Sequence, residues 1–153
     1  MKKKIRPVLG LDFGNTIAKN YEPMPDSLRV VRRLADQVFD GRVFIVSKVN
    51  REQERRVREA FVGHNILGAI GITLDRVIFC ANRADKAPIC QERGITHMID
   101  DRPEVMVGMP PTVTRMLLMA PDFDDLARFA PQLRPVTIVR NWLDIEEYFF
   151  GQV

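Results

Sequence analysis

Residues 8–16 read VLGLDFGNT, and this stretch decides the fold of the chain. An apolar run leads into one carboxylate, Asp12, and a glycine and small polar residues follow at once. A buried strand delivers an acid to the edge of a sheet in this way, after which the chain turns and exposes backbone groups to a ligand. We therefore predict a central strand over 8–12 with a functional carboxylate at its end.

Similar apolar runs recur along the chain, and most of them end in polar side chains. Ser47 follows the run 43–46, Lys86 lies in the loop and helix after 77–79, and the pair Asp100-Asp101 follows 97–99. Further strands are predicted at 114–119 and 136–139. Between them we expect helices that start near Asp26 or Ser27, at Asn50, near Asp85, at Pro103 and at Asn141. The glycine-containing segment 63–75 is read as a helix end and a loop.

The alternation of strands and helices predicts an α/β fold: a single-domain, Rossmann-like open parallel sheet with helices on both faces and no substantial cap. With 153 residues, the chain is expected to form one domain over 1–153, with 1–6 as a frayed basic tail. No apolar run approaches the ~20 residues that cross a bilayer, so we expect a cytoplasmic protein that does not enter the membrane. The net charge of +3 is mild, and nucleic-acid binding is unsupported.

The polar residues at the predicted strand ends point to metal and phosphate chemistry. Ligands of such sheets bind outside the carboxyl ends of the strands, where Asp12, Asp100 and Asp101 would meet. Carboxylates that converge there repel each other unless a cation joins them, and hard oxygen ligands favour Mg²⁺. Together with Ser47 and Lys86 they would form an anionic-phosphate site with a candidate carboxylate nucleophile.

In order and spacing, these motifs resemble the haloacid dehalogenase-like superfamily of phosphohydrolases, over nearly the whole chain. The resemblance implies that Asp12 is the nucleophile and a Mg²⁺ ligand, with the Gly14 carbonyl and Asp101 as further ligands and Asp100 orienting the metal's water. It implies that Ser47 and Lys86 are catalytic and bind the phosphoryl group. The loop of Gly14, Asn15 and Thr16 would contribute to phosphate binding, with Thr16 also bracing the loop.

One position departs from the family pattern. Phosphatases of the superfamily carry a second Asp two places after the nucleophile as general acid and base, and here that position is Gly14. General acid–base catalysis typically contributes about 10²–10⁴-fold, so turnover of poor leaving groups is expected to be weak or impaired. A catalytically inactive binding or regulatory subunit is therefore the alternative to a phosphatase.

Two further expectations concern partners and a competing family. Since little chain is left for a cap, the phosphorylated substrate is expected to be macromolecular, or the site to be covered by a partner subunit or a second copy of the chain. Residues 11–16 also resemble the first phosphate loop of actin-like kinases, which would explain Gly14 and Asn15. That resemblance leaves Ser47, Lys86 and the acid pair unexplained.

Overall fold

Six parallel strands form one open sheet in the computed structural model, which describes residues 5–151. The strands of this sheet are β1 (Leu9–Leu11), β4 (Val43–Lys48), β5 (Val77–Cys80), β6 (His97–Asp100), β7 (Arg115–Met119) and β8 (Thr137–Val139), in the order β5-β4-β1-β6-β7-β8. All six were predicted, with ends within one or two residues of those observed. Most of the predicted basic tail, residues 1–4, lies outside the described residues.

Strand β1 lies at the centre of this sheet, between β4 and β6. Its three residues are fully enclosed because both faces of the sheet are covered. The approach is closest at Gly10, where a Cβ atom would lie 2.9 Å from Met98 Sδ and 3.0 Å from Ile95 Cδ1. The apolar run within residues 8–12 is therefore a buried central strand, as predicted.

Helices cover the two faces. They are α1 (Ser27–Gln37), α2 (Arg51–Gly63), α3 (Ile66–Ile70), α4 (Lys86–Glu92), α5 (Pro103–Val107), α6 (Phe123–Phe129) and α7 (Trp142–Phe150). Side chains of α1, α2, α3 and α7 pack into one core with β1, and side chains of α4, α5 and α6 pack into a second core on the opposite face. The predicted α/β fold, with helices on both faces, is confirmed.

Both α1 and α2 begin where predicted, but only α2 has the predicted side-chain cap. Asn50 and Gln53 form the predicted capping box, in which the Asn50 side chain accepts from Gln53 N at 2.8 Å and the Gln53 side chain accepts from Asn50 N at 2.9 Å. Asp26 precedes α1, but its side chain makes no cap hydrogen bond. It has a left-handed backbone (φ 65°), and its carboxylate pairs with Arg29 instead.

Two helices and a short hairpin were not predicted. Helix α3 occupies part of the segment read as a loop, since Ile66 and Ile70 are buried one turn apart while glycines surround them. Helix α6 has no buried residue and therefore no apolar periodicity to reveal it. A hairpin of β2 (Ala18–Lys19) and β3 (Glu22–Pro23) is too short for a strand signal.

Only this hairpin and α1 lie between β1 and β4, so within the described residues no sizeable cap interrupts the fold. None of the helices between residues 5 and 151 is both long and apolar enough to cross a membrane.

Candidate active site

The carboxyl ends of the central strands meet where the strand order reverses. β1 has β4 on one side and β6 on the other, with Leu11 paired to both Ile45 and Ile99. Asp12 continues this register, since its backbone N–H donates to the Ile99 carbonyl at 3.0 Å. In open parallel sheets, such a reversal opens a crevice that receives ligands.

A buried ion-pair cluster occupies this crevice. Lys86, the first residue of α4, is only 2% exposed, and its Nζ lies 2.9 Å from Asp12 Oδ1 and 2.7 Å from Asp100 Oδ2. The other oxygen of Asp100 accepts a hydrogen bond from the Arg102 backbone N–H at 3.0 Å. Both oxygens of Asp100 are thus in use, and its carboxylate is fixed in position.

The pKa values of Asp12, Asp100 and Lys86 all lie above their ordinary values, for different reasons. Burial raises the pKa of Asp12 from its ordinary 3.8 to about 6; Lys86 opposes the shift and Asp101 adds to it. Burial raises the pKa of Asp100 to about 6 as well, with the charge of Asp12 adding to the effect. Burial would lower the pKa of Lys86, but Asp12 and Asp100 outweigh it, so its pKa lies above the usual value and the ammonium group stays charged.

Asp101 completes a set of oxygens that fits a metal ion. One carboxylate oxygen from each of Asp12, Asp100 and Asp101 lies within 4.8 Å of the others. Lys86 is paired with two of these three carboxylates, so the fully ionised cluster of four side chains has more negative than positive charge. Hard oxygen donors with excess negative charge suit a divalent cation such as Mg²⁺. Burial raises the pKa of Asp101 too, and so does the neighbouring charge of Asp100.

The loop after β1 is held from two sides. Thr16 is fully buried, and its hydroxyl donates to Asp12 Oδ2 at 3.3 Å. Its carbonyl accepts a hydrogen bond from Trp142 Nε1 at 2.8 Å, which ties the loop to α7. These contacts are those of a bracing residue. Thr16 is absent from the described residues that line the cavity, so its direct contact with phosphate stays a prediction.

An open cavity of about 280 Å³ lies above this cluster. The other predicted site residues line it together: Asp12, Gly14, Asn15, Ser47, Lys86, Asp100 and Asp101. Ser47 reaches the cavity from β4, next to β1 in the sheet. Residues distant in the sequence thus meet at one edge of the sheet. Their individual chemical roles remain predictions.

Sequence reasoning did not single out several cavity residues. Tyr21 reaches the cavity from the turn of the β2–β3 hairpin, and Arg83 and Arg102 lie beside Lys86 and the acid pair. Arg83 falls within the loop before Lys86, and Arg102 directly follows Asp101. Proximity to the motifs was therefore the one available signal for the two arginines, whereas Tyr21 had none.

Gly14 borders open space. A Cβ atom placed there would meet no heavy atom within 4 Å. Gly14 is also not among the glycines with positive φ, so its backbone does not require glycine. A larger side chain at this position would point into free volume beside Asp12.

Comparison with solved structures identifies the type of fold. By sequence, the chain matches no family profile and no curated protein significantly. Its structure is similar to D,D-heptose 1,7-bisphosphate phosphatase from B. bronchiseptica, complexed with magnesium and phosphate (TM-score 0.68, 12% identity, covering 94% of this chain and 97% of that chain). It is also similar to the D,D-heptose 1,7-bisphosphate phosphatase from Burkholderia thailandensis (TM-score 0.68, 15% identity, 95% and 99% coverage).

A third similar structure is a haloacid dehalogenase-like hydrolase from Burkholderia xenovorans LB400 (TM-score 0.59, 14% identity), of which 57% is matched by 82% of this chain. The protein therefore shares the fold of these two phosphatases and of this haloacid dehalogenase-like hydrolase, as its motifs predicted, and no sizeable cap interrupts the fold within residues 5–151. At these low identities the likeness establishes the fold and leaves the activity to be argued from the site.

Proposed function

We propose that the protein is a Mg²⁺-dependent phosphohydrolase that acts through Asp12 as nucleophile, with low turnover. The observation that carries this proposal is the buried Lys86 bridging Asp12 and Asp100 at the floor of an open cavity, with Asp101 beside them. Buried charges are costly unless they are paired, and this cluster keeps an excess of carboxylates that a cation would compensate. The similarity in fold to phosphatases supports the same chemistry.

The proposal assigns the metal to Asp12, the Gly14 carbonyl and Asp101, with Asp100 positioning the metal's water through its fixed carboxylate. When bound, Mg²⁺ would supply charge neutralisation for the phosphoryl oxygens. Ser47 would donate a hydrogen bond to one of these oxygens. Lys86 would neutralise charge on both the phosphate and Asp12, and backbone groups at Gly14 and Asn15 would complete the cradle.

The chemistry of the chain's own residues then follows in two steps. A carboxylate oxygen of Asp12 forms a bond to phosphorus as the bond to the leaving oxygen breaks, and the leaving group takes a proton from solvent. Water then attacks phosphorus, the bond to Asp12 breaks, and inorganic phosphate leaves while the carboxylate is restored. Since the pKa of Asp12 is about 6, the nucleophile is largely ionised at neutral pH.

The missing side chain at Gly14 is the main argument for a catalytically inactive protein. With no side chain at this position, no acid is available there to protonate the leaving group or activate the water. We therefore keep one alternative, in which the protein is an inactive subunit that binds a phosphorylated partner. The actin-like kinase interpretation is less well supported, because the loop that suggested it here lies among Ser47, Lys86 and the acid pair.

The substrate in this proposal is phosphorylated and bulky, and the whole chain, 1–153, acts as one domain in the cytoplasm. The cavity opens to solvent without a cap, so a macromolecular substrate, a partner subunit or a second copy of the chain would complete the enclosure. Exclusion of water strengthens electrostatic stabilisation of the transferring group.

A thermal-shift experiment with phosphate mimics tests the metal and nucleophile together. Beryllium fluoride or aluminium fluoride with Mg²⁺ is expected to raise the melting temperature of the wild type, because these complexes imitate a phosphoryl group on a carboxylate. Asp12→Asn is expected to abolish the shift. Asp36→Asn, an exposed Asp→Asn change on α1, is the matched control and should retain it.

The outcomes separate the candidates. A shift in the wild type with slow hydrolysis of an activated aryl phosphate supports the phosphohydrolase. A Mg²⁺-dependent shift with no hydrolysis supports the binding subunit. No shift in the wild type, or an equal shift in Asp12→Asn, contradicts both.

A further inference from the structure

A second cavity of about 210 Å³ lies next to the candidate active site. It is lined by Arg83, Arg102 and Arg128 together with Glu104 and Asp125. Arg83 and Arg102 also line the main cavity above Asp12, so the two cavities share a wall. We call the smaller one the arginine pocket. Its members come from the turn before α4, from the residue that follows the acid pair, and from α5 and α6.

The arginine pocket has one more positive than negative side chain, since three arginines line it together with Glu104 and Asp125. The only ion pair there among the described residues joins Arg83 to Glu104 at 3.8 Å, near the upper limit for such a contact. Within the range 5–151, Arg102 and Arg128 make no ion pair shorter than 4.0 Å. Outside the pocket, the charge of Arg102 also acts on neighbouring Asp101, where it opposes the rise in the pKa of that carboxyl. Elsewhere the exposed arginines are often closely paired, for example Arg140 with Asp144 at 3.0 Å.

A preference for positive charge at a helix C-terminus does not explain why these three arginines lie around one cavity. Arg128 lies in the last turn of α6, where a positive charge is favourable, but α6 is short and Arg83 and Arg102 belong to other elements. Their side chains line one cavity where α5 packs against α6 beside the end of β6. Three arginines against two carboxylates leave a net positive charge around the cavity, which favours an anion, and arginine forks match phosphate and carboxylate geometry.

We propose that the arginine pocket binds a second anionic group of the substrate, at a fixed distance from the phosphate that lies at Asp12. The inference rests on the proposed function, because it takes the main cavity to hold the first phosphate. It specifies the substrate class as a compound with two anionic groups, either two phosphates or a phosphate and a carboxylate. Arg83 and Arg102 face both cavities, and Arg128 contacts the second group alone.

Calorimetric titration with non-hydrolysable phosphonates tests this pocket. The probes are an alkylmonophosphonate, a series of α,ω-alkanebisphosphonates of increasing chain length, and the matching phosphonocarboxylates, with Mg²⁺ in large excess over each probe. We expect the best bisphosphonate to bind the wild type about tenfold more tightly than the monophosphonate, the lower end for a charge-assisted pair at a partly exposed site. One chain length should be best, because both pockets are fixed in the fold.

Substitution of Arg128 identifies the residue responsible. Arg128→Gln should reduce the preference for the bisphosphonate to about twofold and leave monophosphonate affinity unchanged, because Arg128 lies outside the main cavity. Arg115→Gln is the matched control. Arg115 is exposed at the start of β7, at the amino-terminal ends of the strands rather than the carboxyl ends where the cavities lie, and the preference should persist. Both residues are exposed, so neither change is expected to prevent folding.

The outcomes distinguish this inference from the function on which it rests. Mg²⁺-dependent binding of the monophosphonate, with no gain from a second anionic group, overturns the arginine pocket and leaves the proposed function intact. An equal loss of preference in Arg128→Gln and Arg115→Gln overturns it too. No binding of the monophosphonate overturns both. A gain for phosphonocarboxylates that equals the gain for bisphosphonates supports a pocket for any anion, and a gain for bisphosphonates alone supports a second phosphate.

Discussion

Replacement of Lys86 by methionine tests the charge cluster that organises the site. Lys86 is 2% exposed, and its ammonium group lies 2.9 Å from Asp12 Oδ1 and 2.7 Å from Asp100 Oδ2. Methionine is of similar length, so Lys86→Met removes the charge and its hydrogen bonds with little change in volume. Two buried carboxylates then lose their common partner.

The loss of stability has a definite expected size. Removing one partner of a buried ion pair typically destabilises a protein by about 3–5 kcal/mol, because the remaining charge is left uncompensated. The destabilisation from each unpaired acid cannot exceed the free energy of protonating it, which is ~4 kcal/mol at about pH 7 for a carboxyl of ordinary pKa 3.8. In a domain of this size, about 3–5 kcal/mol corresponds to a decrease in melting temperature of about 6–20 °C.

Chemical denaturation and thermal melting in the presence of a chelator measure this loss. The loss should shrink below about pH 6, where Asp12 and Asp100 take up protons and no longer need the ammonium group. Lys48→Met, at the exposed end of β4 beside the same cavity, is the matched control and should change stability by less than about 0.5 kcal/mol. A loss under about 1 kcal/mol in Lys86→Met, or an equal loss at about pH 4 and about pH 7, would refute the reasoning.

Two further predictions concern pH and the loop after β1. The folded-state pKa of Asp12 and of Asp100 is raised from 3.8 to about 6, so their favourable contribution to the metal-free protein is complete below about pH 4 and is lost as the pH rises through about 6. The increase in melting temperature that Mg²⁺ produces over a chelated sample should therefore be small below about pH 5 and grow above about pH 6; a shift independent of pH would contradict this. Trp142→Phe removes the 2.8 Å hydrogen bond to the Thr16 carbonyl and should cost about 1–3 kcal/mol by denaturation. Leu143→Ala, on the exposed face of the same helix, should cost far less, and an equal cost would argue against the buried hydrogen bond.

The predictable part of the structure is the part that the hydrophobic pattern encodes. Strands β1, β4 and β6 are continuous apolar runs because both faces of the sheet are covered, and each run ends at or just before a candidate site residue. In a parallel sheet, strand ends alone bring Asp12, Ser47 and Asp100 to one edge. The floor of the site could therefore be assembled from the sequence without knowledge of any side-chain contact.

The walls of the site could not be predicted, for a different physical reason. Tyr21 lies in a two-residue turn where both Asn20 and Tyr21 have positive φ, and a bulky residue in that conformation gives no turn signal. Helix α6 carries Arg128, but none of its side chains is fully buried and Leu126 is only partly buried against the core, so no periodicity marks it. The arginine pocket depends on how surface elements pack, which local sequence does not encode.

Gly14 lines the cavity beside the predicted site residues, and it bears directly on whether the protein is catalytically active. In the proposed function its carbonyl is a metal ligand, and its missing side chain leaves the site without the proton donor that the resemblance would place two residues after Asp12. Free space surrounds the position of a Cβ atom, and the backbone tolerates an L-residue, so Gly14→Asp should fold with its carboxyl facing the cavity. Phosphatase activity should rise, most for poor leaving groups, because protonation of the leaving oxygen limits those and general acid catalysis contributes about 10²–10⁴-fold. Gly14→Asn, of the same shape but unable to transfer a proton, is the control. Steady-state rates of hydrolysis of an alkyl phosphate and of an activated aryl phosphate measure the effect. If the rate rises equally in Gly14→Asp and Gly14→Asn, a missing proton donor is not what limits the site. The same conclusion follows if the rate rises in neither variant while Mg²⁺ and fluoride still bind.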